Sequence, residues 1–174
     1  MVVVQPASGP RLPDVLKVRV SFRRPRLLIP AAVMGELLTE AWRTWPNETG
    51  GVLLGVSRPS ELRLTAAIGP GPNASHHPGA FAPDSAWQAQ QVAETWKENH
   101  TLEYLGDWHT HPCGSPTLSA LDRDALHSIA DFPAAQQPRP VMLVLALAPD
   151  GSVRGAAERL VNRRTVAVII DIHR

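Results

Sequence analysis

The feature that most constrains this chain is a histidine pair, two positions apart, that a serine and an aspartate follow. His109 and His111 stand in the segment GDWHTHPCGSPTLSALD, which also contains Ser119 and Asp122. Side chains two positions apart point to the same side only in extended chain, so the histidines require a strand. Pro112 favours extended geometry at His111 and then ends that strand. Because Ser119 and Asp122 are three residues apart, they share one face of a helix, and the segment predicts a strand followed by a helix.

The rest of the chain predicts a mixed α/β (α+β) fold. Strands are predicted where apolar residues alternate or form short runs, and helices where they recur every three or four residues. The predicted strands are 15–22, 50–56, 62–68, 104–108, 141–147, 153–160 and 165–170. Three helices are predicted to begin at Pro30, after Asp84 and after Thr117, and residues 69–83 are predicted to form a loop. This order gives a mixed central β-sheet flanked by helices.

Several side chains are predicted to be buried on these elements. Three tryptophans are predicted core residues: Trp87, Trp96 and Trp108. The apolar positions expected on the two later helices are Ala89, Val92, Ala93 and Trp96 on the first, and Leu118, Leu121, Ala125 and Ile129 on the second.

The length of the chain fits one domain. We expect residues 1–14, which contain several prolines, to form a flexible N-terminal arm, and residues 15–174 to form a single domain. Cys113 is the single cysteine and no secretory signal opens the chain, so a cytoplasmic location is expected. The longest apolar run, 141–148, is too short to span a bilayer. The net charge is +1 and the arginines are scattered, which predicts neither a nucleic-acid partner nor a membrane partner.

The histidine pair and the aspartate predict a zinc site. Imidazole and carboxylate groups are ligands that a zinc ion takes, and three protein ligands leave a fourth position open, as in catalytic sites. Two histidines alone are more typical of a protein surface or core, but the added Ser119 and Asp122 make the pattern specific. The loop 113–116 is long enough to fold the helix start back over His109 and His111. A helix N-terminus also favours a carboxylate and developing negative charge nearby.

Hydrolysis at such a site needs a general base that does not bind the metal. Local spacing leaves four glutamates open by residue type: Glu48, Glu94, Glu98 and Glu103. Position favours Glu48, which stands at the mouth of a buried strand where Gly50 and Gly51 allow close backbone approach.

Three further residues near these segments have two interpretations each. His76 and His77 could be additional metal ligands, but a histidine pair in a loop rich in proline and glycine is more typical of solvent-exposed positions. Cys113 follows the histidine segment and invites a thiol-nucleophile interpretation. Its place in the loop next to the metal site favours a bystander instead.

Taken together, these residues resemble a known family of enzymes. The segments Glu48-Thr49-Gly50-Gly51, His109-Thr110-His111-Pro112 and Ser119-Ala120-Leu121-Asp122 are similar to the signature of the JAMM (MPN+/JAB) zinc metalloproteases. That signature is an upstream glutamate, then HxHP, with seven residues between the second histidine and a serine and two more before an aspartate, and this chain matches it throughout. The predicted element order over about 15–172 is also similar to the MPN fold of this family.

The resemblance implies a fold and a role for each residue. It implies the MPN/JAB (cytidine-deaminase-like) fold, with Zn²⁺ held by His109, His111 and Asp122. Glu48 is implied as the general acid/base, and Ser119 as the residue that stabilises the oxyanion of the tetrahedral intermediate. The segment 74–96 falls where the family has a variable insertion that helps to hold a substrate tail.

The resemblance also implies a substrate class. Family members cleave after the C-terminal Gly-Gly tail of ubiquitin or a ubiquitin-like protein, including its conjugates, and the compact form of this chain is similar to the prokaryotic JAB branch. That branch is associated with bacterial ubiquitin-like conjugation systems, antiphage defence among them. Two alternatives stay open: a peptidase that trims the C-terminus of a sulfur-carrier protein, and a non-catalytic MPN scaffold.

Overall fold

A computed structural model describes residues 24–174 of the chain; the predicted arm 1–14 and the predicted strand 15–22 lie outside the described residues. The elements are β1 (Arg26–Pro30), α1 (Ala31–Thr44), β2 (Gly50–Ser57), β3 (Glu61–Ile68), β4 (Ser75–His77), β5 (Ala80–Ala82), α2 (Ser85–Glu98), β6 (Glu103–Pro112), α3 (Ala120–Asp131), β7 (Val141–Leu147), β8 (Val153–Val161) and β9 (Arg164–His173), with a 3₁₀ turn at Pro133–Ala135. No helix among the residues described is long and apolar enough to cross a membrane.

The main sheet is mixed and closes on itself. Its strands follow the order β1-β3-β2-β6-β7-β8-β9, and the sheet closes into a barrel because β1 pairs in parallel with both β3 and β9. β6 pairs in parallel with β7, whereas β2 pairs antiparallel with β3 and β6. The mixed sheet with flanking helices confirms the predicted fold class. The order also places β6, which carries the histidines, directly beside β2.

The core explains why β7 has no polar residue. All seven residues of β7, Val141–Leu147, are buried. Alternate residues enter the main core, which includes Leu53, Leu105 and Leu143, while Met142 and Val144 pack under α3 with Leu118 and Leu126. A strand covered on both faces reads as a continuous apolar run. Burial of each leucine contributes roughly 1.5–3 kcal/mol to the free energy of folding.

The predicted buried stripe of α3 is partly wrong. Its N-cap is Ser119 rather than Thr117, and Leu126 is fully buried, while Leu121 is 78 % exposed. Leu121 lies five residues before Leu126, which is roughly 140° around the helix, so the two cannot share a face. Leu118 is buried as predicted, but it packs inward from the residue before the cap.

The predicted apolar face of α2 is also wrong in part. Trp96 is 54 % exposed and packs against His100 at the surface, with ring centroids 4.3 Å apart. Ala89 and Ala93 are exposed too. The one buried residue of the helix is Gln88, whose side-chain amide donates to the Gly69 carbonyl, so a polar contact fixes this face.

The predicted loop 69–83 contains a two-stranded hairpin. β4 pairs antiparallel with β5, with His76 opposite Phe81. The base of the hairpin is tied to α2, because the Asp84 side chain caps that helix and also accepts hydrogen bonds from the main chain and side chain of Asn73. The capping by Asp84 confirms the predicted start of α2.

Candidate metal centre

β6 presents the two histidines on one side of the sheet. Trp108 and Thr110 alternate with the histidines along the strand and are 2 % and 1 % exposed, so their face of the strand is the buried one. His109 and His111 therefore point to the opposite side, where each remains partly accessible. This confirms the extended chain predicted through the histidines to Pro112, and β6 is longer than the predicted strand 104–108.

α3 supplies the carboxylate through its first turn. Ser119 is the N-cap: its hydroxyl oxygen accepts the Asp122 main-chain N–H at 3.1 Å, and its own N–H donates to Asp122 Oδ2 at 2.6 Å. This reciprocal capping box holds the Asp122 side chain against the start of the helix. The same two residues that the sequence singled out for chemistry thus also form the helix terminus.

The three side chains meet at distances that suit one tetrahedral ion. His109 Nε2 and His111 Nε2 are 3.0 Å apart, and the Asp122 oxygens lie 3.3 Å and 3.7 Å from these nitrogens. Two ligand atoms about 2.05 Å from a tetrahedral zinc stand about 3.3 Å apart. One atom from each residue lies within 4.8 Å of the others, so the donor set fits a metal site.

Neighbouring groups prepare these side chains to bind a cation. His111 Nδ1 donates to the Ser115 carbonyl at 2.8 Å, which leaves the Nε2 lone pair of the neutral ring facing the cluster. Burial alone would raise the pKa of the Asp122 carboxyl. The hydrogen bond and charge of His109, together with the Ser119 N–H, outweigh burial and hold that pKa well below its usual range. Asp122 is thus held as a carboxylate, the form that binds a cation.

Glu48 faces the same cleft as the candidate ligands. It lies between α1 and β2, is half-buried, and lines a cavity of about 250 Å³ together with His109 and Asp122. Burial raises the pKa of the Glu48 carboxyl, because attraction by His111 and His109 only partly offsets the loss of solvation. A carboxyl whose pKa is shifted towards neutrality suits a group that both takes and returns a proton.

The other glutamates that the sequence left open lie elsewhere. Glu94 and Glu98 are exposed on α2, and Glu103 is exposed at the start of β6. Glu94 accepts hydrogen bonds from Gln90 and Gln91 along its own helix. Glu48 is the one of the four that lines the cavity.

A buried threonine pair connects Glu48 to the histidine strand. Thr49 donates its N–H to Thr110 Oγ1 at 2.9 Å, and Thr110 donates its N–H to the Thr49 carbonyl at 2.8 Å. Thr110 stands between the two histidines, so this link sets the distance between Glu48 and the cluster. Sequence reasoning missed it, although a threonine on the buried face of the histidine strand was a signal that could have revealed it.

We expect Thr110→Val to lower the stability of the protein. The variant keeps the side-chain shape but leaves the buried Thr49 N–H without an acceptor, at a cost of roughly 1–3 kcal/mol in the free energy of unfolding. Denaturant unfolding measures the loss, and Thr65→Val at an exposed position of β3 is the matched control. Equal stability of the two variants would contradict the proposed link.

Gly50 lets β2 approach β6, and Gly51 lets it approach β3, more closely than a side chain would allow. A Cβ on Gly50 would lie 2.4 Å from the Trp108 carbonyl oxygen, and one on Gly51 would lie 1.9 Å from the Ile68 carbonyl oxygen. Both positions require glycine because the obstructing atoms belong to the backbone. The structure thus confirms the close backbone approach at Gly50 and Gly51 on which the preference for Glu48 was based.

The remaining candidates from the sequence are His76, His77 and Cys113, and their surroundings differ. His77 is exposed, whereas His76 is half-buried and its Nδ1 lies 2.8 Å from the Glu48 carbonyl oxygen. Within the described residues neither belongs to the metal-binding cluster, so an additional ligand role has no geometric support. Cys113 is exposed in the loop after β6 and is not among the residues that line the cavity.

Comparisons with known proteins agree with this geometry. The model of the family of prokaryotic homologs of the JAB domain matches residues 30–161. "Probable metalloprotease y4qB" of Sinorhizobium fredii (strain NBRC 101917 / NGR234) is 33 % identical over 132 residues, covering 72 % of this chain and 79 % of the relative. "CD-NTase/cGAS isopeptidase" of Enterobacter hormaechei subsp. hoffmannii (strain UCI 50) is 32 % identical over 133 residues, covering 72 % of this chain and 70 % of the relative.

A solved structure shares the fold. The solution structure of protein DSY2949 from Desulfitobacterium hafniense has a TM-score of 0.64 and 21 % sequence identity, covering 84 % of this chain and 92 % of that chain. The matched family model covers most of the chain and includes every residue of the candidate centre. This chain therefore belongs to the family of prokaryotic JAB domains.

Proposed function

We propose that this protein is a zinc-dependent isopeptidase or peptidase that cleaves after the C-terminal Gly-Gly tail of a ubiquitin-like protein. The observation that carries the proposal is the convergence of His109, His111 and Asp122 on one point, with Glu48 in the same cleft. JAB family membership and the names of the relatives support peptidase activity. A non-catalytic scaffold would have no need of these four side chains in one place.

In this proposal each residue has one task. His109, His111 and Asp122 would hold the zinc, which would supply a Lewis acid for the scissile carbonyl and would make a water molecule more acidic. Glu48 accepts a proton from the attacking water and delivers it to the leaving amine. Ser119 Oγ already accepts the Asp122 N–H, so its own proton is free to donate to the developing oxyanion.

We expect Ser119→Gly to lower kcat by about 10²–10³-fold, because the variant lacks the hydroxyl that would stabilise the oxyanion. Glycine preserves much of the N-cap preference, so the loss of helix stability is only a few tenths of a kcal/mol. Ser119→Ala also removes the cap and should in addition cost about 1 kcal/mol of stability. Steady-state kinetics and thermal unfolding measure the two effects. A glycine variant with full kcat would assign Ser119 to helix capping alone.

The cleft suits an extended tail that ends in small residues. The hairpin β4–β5 stands at its side and contributes Phe81 to the lining, while Gly51 forms part of the lining from β2. An extended peptide binds by adding a strand to a sheet edge, and glycines fit where a side chain would collide. We propose that a Gly-Gly tail lies along this hairpin towards the metal.

The name of one relative supports a partner for this activity. The Enterobacter hormaechei relative is named an isopeptidase of CD-NTase/cGAS. An isopeptide bond joins a lysine side chain to a C-terminal carboxylate, which is the linkage made by ubiquitin-like conjugation. We therefore propose a bacterial conjugation system, such as one in antiphage defence, as the setting, with deconjugation or maturation of the modifier as the reaction.

A panel of leaving groups tests the proposal. The substrates are a ubiquitin-like protein whose C-terminal Gly-Gly is joined to one of four leaving groups. These are a protein linked by an isopeptide bond, a protein in linear fusion, a short peptide and a single amino acid. We expect cleavage of the protein-linked substrates directly after the second glycine. Cleavage of the short extensions alone would instead assign the protein to trimming of a carrier protein, such as a sulfur carrier. No cleavage in any arm by zinc-loaded protein would contradict both functions.

A further inference from the structure

The main chain of Glu48 is held by the hairpin β4–β5 rather than by a strand. Glu48 lies in the irregular segment between α1 and β2. Its N–H donates to the His77 carbonyl at 2.8 Å, and its carbonyl oxygen lies 2.8 Å from His76 Nδ1. A carbonyl oxygen only accepts hydrogen bonds, so the His76 ring must carry its proton on Nδ1. Both polar groups of the Glu48 peptide units are thus satisfied by two consecutive hairpin residues.

The hairpin is a firm support because it is anchored on two sides. At its base Asn73 donates two hydrogen bonds to Asp84, the residue that caps α2. In the middle of the hairpin the His76 ring packs against the Phe81 ring, with centroids 5.4 Å apart. Phe81 in turn lies over Gly50, where a Cβ would be 3.0 Å from the Phe81 ring. The His76 ring is therefore held in place while it bonds to Glu48.

We propose that His76 is a positioning residue that fixes the main chain of Glu48 and thereby aims its carboxylate into the cleft. This inference rests on the proposed function, in which Glu48 moves the proton. The threonine link holds the N–H of the peptide unit that joins Glu48 to Thr49, and His76 holds the carbonyl oxygen of that same unit. A small displacement of a catalytic group is sufficient to slow a reaction by up to about 10²-fold.

Three variants separate the hydrogen bond from the bulk of the ring. His76→Phe keeps an aromatic ring beside Phe81 but removes the donor. His76→Asn loses the ring, but its side-chain Nδ2 occupies nearly the place of Nδ1 and restores the donor. His100→Phe is the matched control, because it makes the same substitution at an exposed histidine outside the hairpin along which the tail is proposed to lie.

On a Gly-Gly fusion substrate we expect His76→Phe to lower kcat by on the order of ten-fold, the effect of one lost hydrogen bond, with KM changed by less than about two-fold. His76→Asn should recover most of the loss, and His100→Phe should behave as the wild type. Zinc content should be equal in all four proteins, because His76 does not touch the cluster. Unchanged kcat in His76→Phe, or an equal loss in His76→Asn, would overturn the inference.

Two measurements on metal-free protein need no activity. In nitrogen-15 spectra of the wild type the neutral His76 ring should be the Nδ1–H tautomer, and the Nε2–H tautomer would overturn the inference. Hydrogen exchange of the peptide that contains the Glu48 amide should be faster in His76→Phe than in His100→Phe. If zinc-loaded wild type cleaves none of the substrates, the proposed function fails, while unchanged exchange in His76→Phe refutes the positioning role separately.

Discussion

Replacement of Glu48 by glutamine is expected to lower kcat by about 10²–10⁴-fold while zinc stays bound. The amide has nearly the same shape as the carboxylate, but it cannot accept and return a proton. Glu48 is not part of the His109, His111 and Asp122 cluster, so the metal content should be one ion per chain, as in the wild type. Steady-state kinetics and elemental analysis of the same preparation measure the two quantities.

A matched control separates this effect from loss of negative charge. Glu98→Gln makes the same substitution at an exposed position of α2 and should leave kcat unchanged. Full turnover in Glu48→Gln would show that another group moves the proton. Loss of zinc together with turnover would instead make Glu48 a part of the metal site.

The stability of Glu48→Gln provides a further check on its folding. Burial raises the pKa of the Glu48 carboxyl, so the folded state binds this proton more tightly than the unfolded chain does. The stabilising contribution of the protonated carboxyl is complete below the unfolded pKa and is lost as the pH rises through the folded pKa. In metal-free protein at pH 7 the neutral amide avoids that loss. The Tm of the variant should therefore equal or exceed that of the wild type.

His109→Ala is expected to abolish metal binding and turnover together. His109 Nε2 contacts both partners, 3.0 Å from His111 Nε2 and 3.3 Å from Asp122 Oδ1. Loss of a residue that merely orients a ligand lowers metal affinity by about 10–100-fold, so loss of a ligand itself should cost more than that. Titration of zinc into metal-free protein measures the affinity.

The control for this variant is His100→Ala, which removes an exposed imidazole beside Trp96. It should bind zinc with the affinity of the wild type. Removal of His109 also takes away the hydrogen bond that helps to hold the pKa of Asp122 low. Wild-type zinc affinity in His109→Ala would show that zinc binds at other residues and would contradict the proposed site.

Periodic segments could be predicted from the sequence, because local spacing determines which face of an element is buried. The glycine-flanked run of β2, the alternation in β3 and the extended histidine segment of β6 all gave the correct element type. The His109, His111 and Asp122 cluster followed from the same local geometry together with ligand chemistry. These features depend on residues that are close together in the chain.

Features that depend on distant residues could not be predicted. The barrel closes because Leu27 pairs with Leu62 on one side and Ile170 on the other, and no local pattern encodes either partner. The three-residue strands of the hairpin are too short to show alternation. Leu121 and Trp96 were predicted to be buried but are exposed. An apolar residue at helical spacing is buried only if a neighbouring element covers it, and local spacing does not show whether one does.

The most direct test of the central claim is a zinc titration of metal-free protein during cleavage of a Gly-Gly-linked fusion. The account predicts no cleavage without metal, a rate that rises until one zinc is bound per chain, and loss of that rate on addition of a chelator. His109→Ala should stay inactive throughout the titration. Cleavage at full rate by metal-free protein, or saturation with one zinc and no cleavage, would contradict the account.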